Sequence, residues 1–149
     1  MDSMKYILLD FDGVLTSVQH TRACRQERCV PNIYGLDWFD PACLDALRTI
    51  VVATGAGIVV SSSWRDLGDE KLLRVWEHIP MPGEFIGTTP IWILTKREAI
   101  RHWIGQHPDD RFVILDDADQ GFPDQVITDP YMGLTRKNAE EAVTLLNKE

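Results

Sequence analysis

The sequence predicts an α/β domain with a mainly parallel sheet, and two features carry this prediction. Short apolar runs alternate with amphipathic stretches along the whole chain, which is the pattern of strands joined by crossover helices. Three of the apolar runs are followed directly by polar residues, namely Asp10, Ser61 and Asp116. Because open parallel sheets bind ligands at the carboxyl ends of their strands, this arrangement also predicts where a functional site lies.

The predicted strands are continuous apolar runs, as expected for strands covered on both faces. They span Tyr6–Leu9, Ile58–Val60, Phe112–Leu115 and Val126–Thr128, with Phe85–Gly87 and Ile91–Leu94 as short candidates for strand or loop. One predicted helix begins at Asp40-Pro41, where the N-cap and first-turn residue types are typical. The other predicted helices cover Asp69–Ile79, about Lys96–Ile104 and Asn138–Leu146.

Length and composition favour a single domain, residues 1–149, built around one core. No apolar run approaches the roughly 18 residues that span a bilayer, and Tyr6–Leu9 is too short for a signal-peptide core. We therefore expect a cytoplasmic protein with no membrane partner and no obligate protein partner. A net charge of −8 argues against a generally basic nucleic-acid surface, and the odd set of Cys24, Cys29 and Cys43 gives no disulfide framework.

Four aspartates follow two of the predicted strands: Asp10, Asp12, Asp116 and Asp117. Carboxylates that converge at one edge of a sheet repel each other unless a cation neutralises them, and oxygen ligands of this type suit Mg²⁺. We predict that these four residues form a magnesium site, with either Asp116 or Asp117 as the direct ligand beside Asp10.

The same carboxylates suit phosphoryl transfer. An aspartate carboxylate attacks phosphorus to give an acyl phosphate, which divides hydrolysis into two displacements, and Asp10 is the candidate nucleophile. Asp12 lies two residues on and faces the same way along an extended chain. Neighbouring carboxylates favour its protonated form, so it suits a general acid and base. Gly13 allows the chain to turn sharply out of the strand.

Phosphoryl transfer also needs hydrogen-bond donors and positive charge around the phosphate oxygens. The turn formed by Ser61, Ser62 and Ser63 offers hydroxyl and backbone N–H donors, and Lys96 offers the charge. Arg65 either positions this turn or contacts the phosphate.

These motifs, in this order, resemble those of the haloacid dehalogenase (HAD) superfamily. Asp10-Phe11-Asp12-Gly13 matches its DxDG motif, and Asp116-Asp117 matches its acidic pair. Ser62 matches the Ser or Thr that ends its second strand, with Ser61 as the alternative. Lys96 matches the basic residue that opens a later helix. The resemblance implies a three-layer α/β/α Rossmann-like domain and a magnesium-dependent phosphatase that forms an aspartyl phosphate on Asp10. Ser62 and Lys96 would then bind the phosphate.

Finer details are similar to the HAD domain found in Swiss-army-knife RNA repair proteins. They lie in segments 61–65, 87–90, 114–117 and 128–135. That branch takes its name from accompanying domains, so the resemblance does not by itself imply an RNA substrate.

The superfamily places a helical turn and a β-hairpin flap, sometimes enlarged into a cap, between its first two motifs. The room for it here is about residues 16–36, which leaves at most a minimal cap and an open crevice. Arg22, Arg25 and Arg28 stand there against Glu27, a local charge of +2 from three arginines minus one glutamate. We predict that these arginines contact an anionic substrate.

Two other functions use the same fold. A phosphotransferase would pass the phosphoryl group from Asp10 to an alcohol, and a non-catalytic binding or regulatory module would keep the fold without the chemistry. The intact first motif disfavours the module, and the absence of a G-x-x-x-x-G-K-[ST] run disfavours a P-loop kinase. The phosphorylated substrate, a small molecule or a nucleic-acid end, stays open.

Several neighbouring residues have simpler interpretations. Trp64 suits core packing better than base stacking, and Arg97 stands next to Lys96 and offers the same charge. His20, Cys24 and Cys29 lack the paired spacing of a zinc ribbon and are interpreted as ordinary flap residues. Asp119 and Asp124 are candidates for supporting the acidic pair.

Overall fold

A computed structural model describes residues 3–27 and 38–148. Its sheet has five strands, all parallel, in the order β3-β2-β1-β4-β5. The strands are β1 (Lys5–Leu9), β2 (Gly57–Val60), β3 (Phe85–Thr88), β4 (Arg111–Asp116) and β5 (Gln125–Ile127). The helices are α1 (Val18–Glu27), α2 (Pro41–Thr54), α3 (Asp69–His78), α4 (Lys96–Gly105) and α5 (Arg136–Leu146), with a short 3₁₀ helix at Ser63–Leu67.

The two faces of the sheet pack against different helices. Alternate strand residues such as Leu9, Val60 and Leu115 join the larger core with α2, α3 and α5, whereas Leu8, Val59 and Ile114 pack under α4. This alternation is the period-two geometry of a strand, and it gives three layers with the sheet in the middle. The predicted three-layer α/β/α, Rossmann-like class is confirmed.

Local sequence signals explain where the helices start. The Asp40 carboxylate accepts a hydrogen bond from the Ala42 N–H (2.9 Å) ahead of Pro41, as predicted. Helix α5 starts at Arg136, two residues before the predicted start, because Thr135 is its N-cap and forms a capping box with Asn138. The candidate strand at 91–94 is a loop.

The structure describes the segment after the first motif only up to Glu27, so the hairpin flap that the resemblance implies stays a prediction. The described part of the segment forms helix α1, because the Ser17 hydroxyl accepts a hydrogen bond from the His20 N–H (3.0 Å) and so caps the helix. The remainder of the segment, with Arg28 and Cys29, lies outside the described residues, so the predictions made for those two residues stay predictions.

Candidate active site

The polar residues at the strand ends form one row. Leu9 of β1 pairs with Val60 of β2 and Leu115 of β4. The next residue on each strand is therefore Asp10, Ser61 or Asp116, side by side. Continued alternation places these three on the face that carries α4. All three side chains are buried, so the fold collects two carboxylates and a hydroxyl below the start of one helix.

Lys96 opens helix α4 directly above this row. Its Nζ lies 3.0 Å from Asp116 Oδ2 and 3.3 Å from Asp10 Oδ2, and the Thr95 hydroxyl caps the helix that carries it. The Arg97 guanidinium lies beside Gly121 instead. Of the two basic residues that the sequence offered, Lys96 reaches the carboxylates.

Burial and the neighbouring charged groups together shift the pKa values of the residues at this site. Burial, the charge of Asp116 and, to a smaller extent, that of Asp117 raise the pKa of Asp10 to about 7, although Lys96 opposes the rise. Burial and a hydrogen bond with Asp116 raise the pKa of Asp117. Burial acts to lower the pKa of Lys96, but Asp10 and Asp116 outweigh it and raise that pKa. The lysine is thus a fixed cation among carboxyls that are costly to ionise together.

Asp10, Asp116 and Asp117 each offer an oxygen to a common point. Their ligand atoms lie within 4.8 Å of one another, as carboxylates around a shared cation must. Among the described residues this is the group of acidic, histidine or cysteine side chains that converges in this way. His20 and Cys24 contact each other (3.3 Å) on α1 and form no such group with the residues that the structure describes.

Gly13 makes room for Asp117. Its φ of +81° belongs to the left-handed region, and a Cβ at this position would lie 2.5 Å from Asp117 Oδ2. The glycine is therefore required twice, by its own backbone conformation and by the carboxylate packed against it. The Thr128 hydroxyl donates to the Gly13 carbonyl (2.7 Å) and fixes this turn from β5.

Ser61 and Ser62, adjacent in the serine turn, have different roles in the structure. Ser62 Oγ accepts a hydrogen bond from the Trp64 N–H (3.1 Å) and caps the 3₁₀ helix, on which Ser63 is exposed. Ser61 Oγ is buried and finds no hydrogen-bond partner among the described residues. A buried hydroxyl without a partner is costly unless a ligand satisfies it. The geometry therefore favours Ser61, the alternative in the sequence, as the hydroxyl that awaits a ligand.

Asp12 occupies a different position from the other three aspartates. Its side chain is exposed, and Asp12 Oδ2 accepts a hydrogen bond from the Trp64 indole N–H at 3.3 Å. The Trp64 ring itself is buried against Phe11 and Phe39, with centroids 4.8 Å and 5.3 Å away. Trp64 therefore packs in the core, as predicted, and it also holds a carboxylate that the sequence did not connect to it.

Buried side chains brace the site from behind. The Arg65 guanidinium donates to Thr89 Oγ1 (3.1 Å) and to the Ile93 carbonyl (2.9 Å), which is the positioning alternative for this residue. Gln120 Nε2 lies 3.4 Å from Asp116 Oδ2. Sequence reasoning missed Gln120, which has no motif, and Thr89, whose signal was its place directly after β3.

Asp119 and Asp124, the candidates for supporting the acidic pair, form their hydrogen bonds with other residues. Asp119 Oδ1 accepts from the Gly121 N–H (2.8 Å), and the Asp124 carbonyl accepts from the Ile114 N–H (2.9 Å). In the part of the chain that the structure describes, these two hydrogen bonds stabilise the backbone that follows the acidic pair.

An open cleft of about 490 Å³ adjoins the row. Asp12, Gly13 and Asp117 line this cleft together with Arg22 and Arg25 of α1. The structure thus brings two of the three predicted flap arginines to the candidate site.

Together, the strand-end carboxylates, the lysine above them and the Rossmann-like sheet define the class of HAD domains. A family model described as the HAD domain in Swiss Army Knife RNA repair proteins matches residues 6–139. The chain belongs to this family, and its fold is suited to phosphoryl-transfer chemistry. Comparisons with curated proteins and with solved structures gave no significant match. No helix among the described residues has the length and apolar character needed to cross a membrane.

Proposed function

We propose that this protein is a Mg²⁺-dependent phosphate monoester hydrolase that works through an aspartyl phosphate on Asp10. The observation that carries the proposal is the placement of the Asp10 carboxylate. It lies buried between Lys96 and the Asp116–Asp117 pair, next to the unpartnered Ser61 hydroxyl. A nucleophile, a cation and a donor for phosphate oxygens thus meet at one point.

The donor set fits a hard divalent cation. Asp10, Asp116 and Asp117 would hold it with carboxylate oxygens, and Mg²⁺ is typically bound by few carboxylates while keeping several waters. When bound, Mg²⁺ neutralises the carboxylates and draws electron density from the phosphate oxygens. Asp12 is a candidate ligand from the sequence; its side chain is engaged with Trp64, so we propose that Asp12 contributes its backbone carbonyl.

The residues of the chain then divide the reaction into two steps. Asp10 Oδ attacks phosphorus, the bond from phosphorus to the ester oxygen breaks, and Asp12 gives its proton to the departing alkoxide. Asp12 next takes a proton from water, whose oxygen attacks phosphorus, and the bond to Asp10 breaks to release inorganic phosphate. Ser61 and Lys96 donate to the phosphate oxygens in both steps.

The cytoplasmic location stays a prediction.

Phosphate release from p-nitrophenyl phosphate and from a panel of phosphate monoesters tests this function. We expect release in Mg²⁺, loss of release in excess chelator, and recovery when Mg²⁺ is returned. Asp10→Asn should show no release above background. Equal rates for wild type and Asp10→Asn, or rates unaffected by the chelator, would contradict the proposal.

Gly13→Ala is expected to weaken Mg²⁺ binding. The new Cβ must displace the Asp117 carboxylate, which lies 2.5 Å from its position, so we expect the Mg²⁺ concentration for half-maximal activity to rise about tenfold or more, the loss of roughly one ligand contact.

Gly55→Ala is the matched control, because Gly55 has a similar φ of +71° but nothing within 4 Å of the added Cβ. Both variants carry the backbone penalty of about 1 kcal/mol or more, and only Gly13→Ala should change the Mg²⁺ requirement. A normal requirement in Gly13→Ala would separate Asp117 from the cation.

Trp64→Phe is expected to impair proton delivery by Asp12. The substitution keeps an aromatic ring against Phe11 but removes the indole N–H that holds Asp12 Oδ2. We expect kcat/KM, which reports the step that breaks the ester bond, to fall about tenfold with alkyl phosphates, whose leaving groups need a proton, and to change less than about twofold with p-nitrophenyl phosphate. The larger loss is a fraction of the roughly 10²–10⁴-fold that general acids contribute.

Trp76→Phe provides the control for Trp64→Phe. Trp76 also packs near Phe11, and its indole N–H donates to the Gly83 carbonyl (3.3 Å) rather than to a site residue. It should leave the dependence on leaving group unchanged. An equal loss of kcat/KM for both leaving groups in Trp64→Phe would indicate a packing role alone.

A further inference from the structure

Helix α1 turns one polar face toward the cleft beside the candidate active site. Val18, Thr21, Arg22 and Arg25 line the cleft, and their spacing of three, four and seven residues puts them on one side of a helix. Arg22 and Arg25 are three residues apart, roughly 4.5 Å along the helix axis. Both side chains are exposed and available to a ligand.

These two arginines differ from many others in the chain in having no carboxylate partner within residues 3–27 and 38–148. Arg48, Arg74, Arg101 and Arg136 each pair with an acidic residue on their own helix, at 2.8–3.8 Å. Neither Arg22 nor Arg25 forms an ion pair with any residue in the described ranges. The two acidic side chains that line the same cleft already form hydrogen bonds with other residues. Asp12 accepts one from Trp64, and Asp117 shares one with Asp116. In a chain of net charge −8, an unpaired cationic pair beside the catalytic turn is suited to an anion.

The size and lining of the cleft indicate which class of anion it is suited to bind. A volume of about 490 Å³ is in the range of small-molecule sites. None of its lining side chains among the described residues is aromatic, whereas single-stranded nucleic-acid sites typically provide aromatic side chains on which bases stack. Guanidinium groups are well suited to phosphate because they donate two parallel hydrogen bonds.

We infer that Arg22 and Arg25 bind a second phosphate of the substrate, so that the enzyme acts on small organic bisphosphates, with one phosphate at Asp10 and the other at α1. This inference rests on the proposed function and deepens it. The bisphosphate would bridge two cationic centres, Lys96 and the α1 arginines, across the Asp12–Gly13 turn. A monophosphate would contact only the first.

Calorimetric binding on the Asp10→Asn background tests the inference without turnover. The probes are glucose 1,6-bisphosphate and glucose 6-phosphate in the presence of Mg²⁺. We expect the bisphosphate to bind about 100-fold more tightly, about tenfold for each charge-assisted guanidinium contact. Adding Arg22→Ala and Arg25→Ala should reduce this preference to about threefold or less.

The control adds Arg74→Ala and Arg101→Ala, which remove the same charge from α3 and α4, and it should retain the preference. A preference that survives in the α1 double variant, or no preference in Asp10→Asn itself, would overturn the inference. Tighter binding of 5′-phosphorylated dithymidylate than of the bisphosphate would overturn the small-molecule assignment. Hydrolysis of p-nitrophenyl phosphate by Asp10 is measured separately. A failure of the bisphosphate inference can therefore be distinguished from a failure of the proposed phosphatase function.

Discussion

Replacing Asp10 by asparagine is expected to abolish phosphatase activity and at the same time to stabilise the metal-free protein. The variant lacks the proposed nucleophile, so we expect kcat to fall at least about 10³-fold. It also removes one of two buried carboxylates that share Lys96, while Lys96 keeps Asp116 and the amide oxygen still accepts from the Phe11 N–H. We expect the metal-free protein to gain on the order of 1 kcal/mol, roughly 3 °C in Tm.

The stabilisation should depend on pH in a definite direction. The folded-state pKa of Asp10, raised to about 7 by burial and Asp116, exceeds the unfolded value near 3.8. Ionising Asp10 therefore costs folding free energy that is absent at acid pH and grows as pH rises toward 7. Metal-free wild type should lose stability between about pH 4 and pH 7. Asp10→Asn should lose less over the same interval, and the Asp117 pKa, also raised, accounts for the remainder.

Thermal denaturation in chelator across this pH range is the measurement, with Asp109→Asn, at an exposed position, as the control for a lost surface charge. If Asp10→Asn were less stable than wild type at pH 8 without metal, or followed the same pH profile, the buried carboxylate would not be the source of the cost.

Lys96→Met is expected to give the second largest effect, and it acts on both stability and activity. Lys96 lies within 3.3 Å of both Asp10 and Asp116, and without it two buried carboxylates face each other with no cation. We expect metal-free stability to fall by roughly 2 kcal/mol, less at low pH, where Asp10 takes up a proton instead. The rate with Mg²⁺ should fall about 10²–10³-fold because a donor to the transferring phosphoryl group is lost.

Mg²⁺ separates the two roles of Lys96. A bound cation replaces the charge near the carboxylates, so Mg²⁺ should restore most of the lost Tm but not the lost rate. Lys137→Met, at an exposed position on α5, should change neither. A Lys96→Met enzyme with wild-type kcat would exclude this lysine from phosphate binding.

The sequence was sufficient to predict the sheet and the residues at its carboxyl edge, because both depend on short-range patterns. Apolar runs specify buried strands, and parallel register then forces Asp10, Ser61 and Asp116 to the same edge. The helix-opening position of Lys96 followed from the apolar spacing of the segment after it, and in the structure its ammonium lies within 3.3 Å of both carboxylates.

Contacts that depend on side-chain direction were beyond the sequence. Ser61 and Ser62 differ by one residue, and strand alternation decides which hydroxyl faces α4 and which caps the 3₁₀ helix. The bond from Trp64 to Asp12 joins residues 52 positions apart, and no local signal carries such a pairing. Helix α1 was not predicted, because the segment was interpreted through the superfamily resemblance, which implies a helical turn and a hairpin flap, although the Ser17 cap was a local signal for the helix.

Chemical trapping of the Asp10 acyl phosphate tests the central claim most directly. The enzyme is mixed with substrate and Mg²⁺, quenched within the first turnovers, and treated with borohydride, which reduces an acyl phosphate to the alcohol. We expect peptide mass spectrometry to find homoserine at position 10 only when substrate and Mg²⁺ were present, with Asp12, Asp116 and Asp117 unchanged. Substrate turnover with no reduction at position 10, or reduction at another aspartate, would contradict the account.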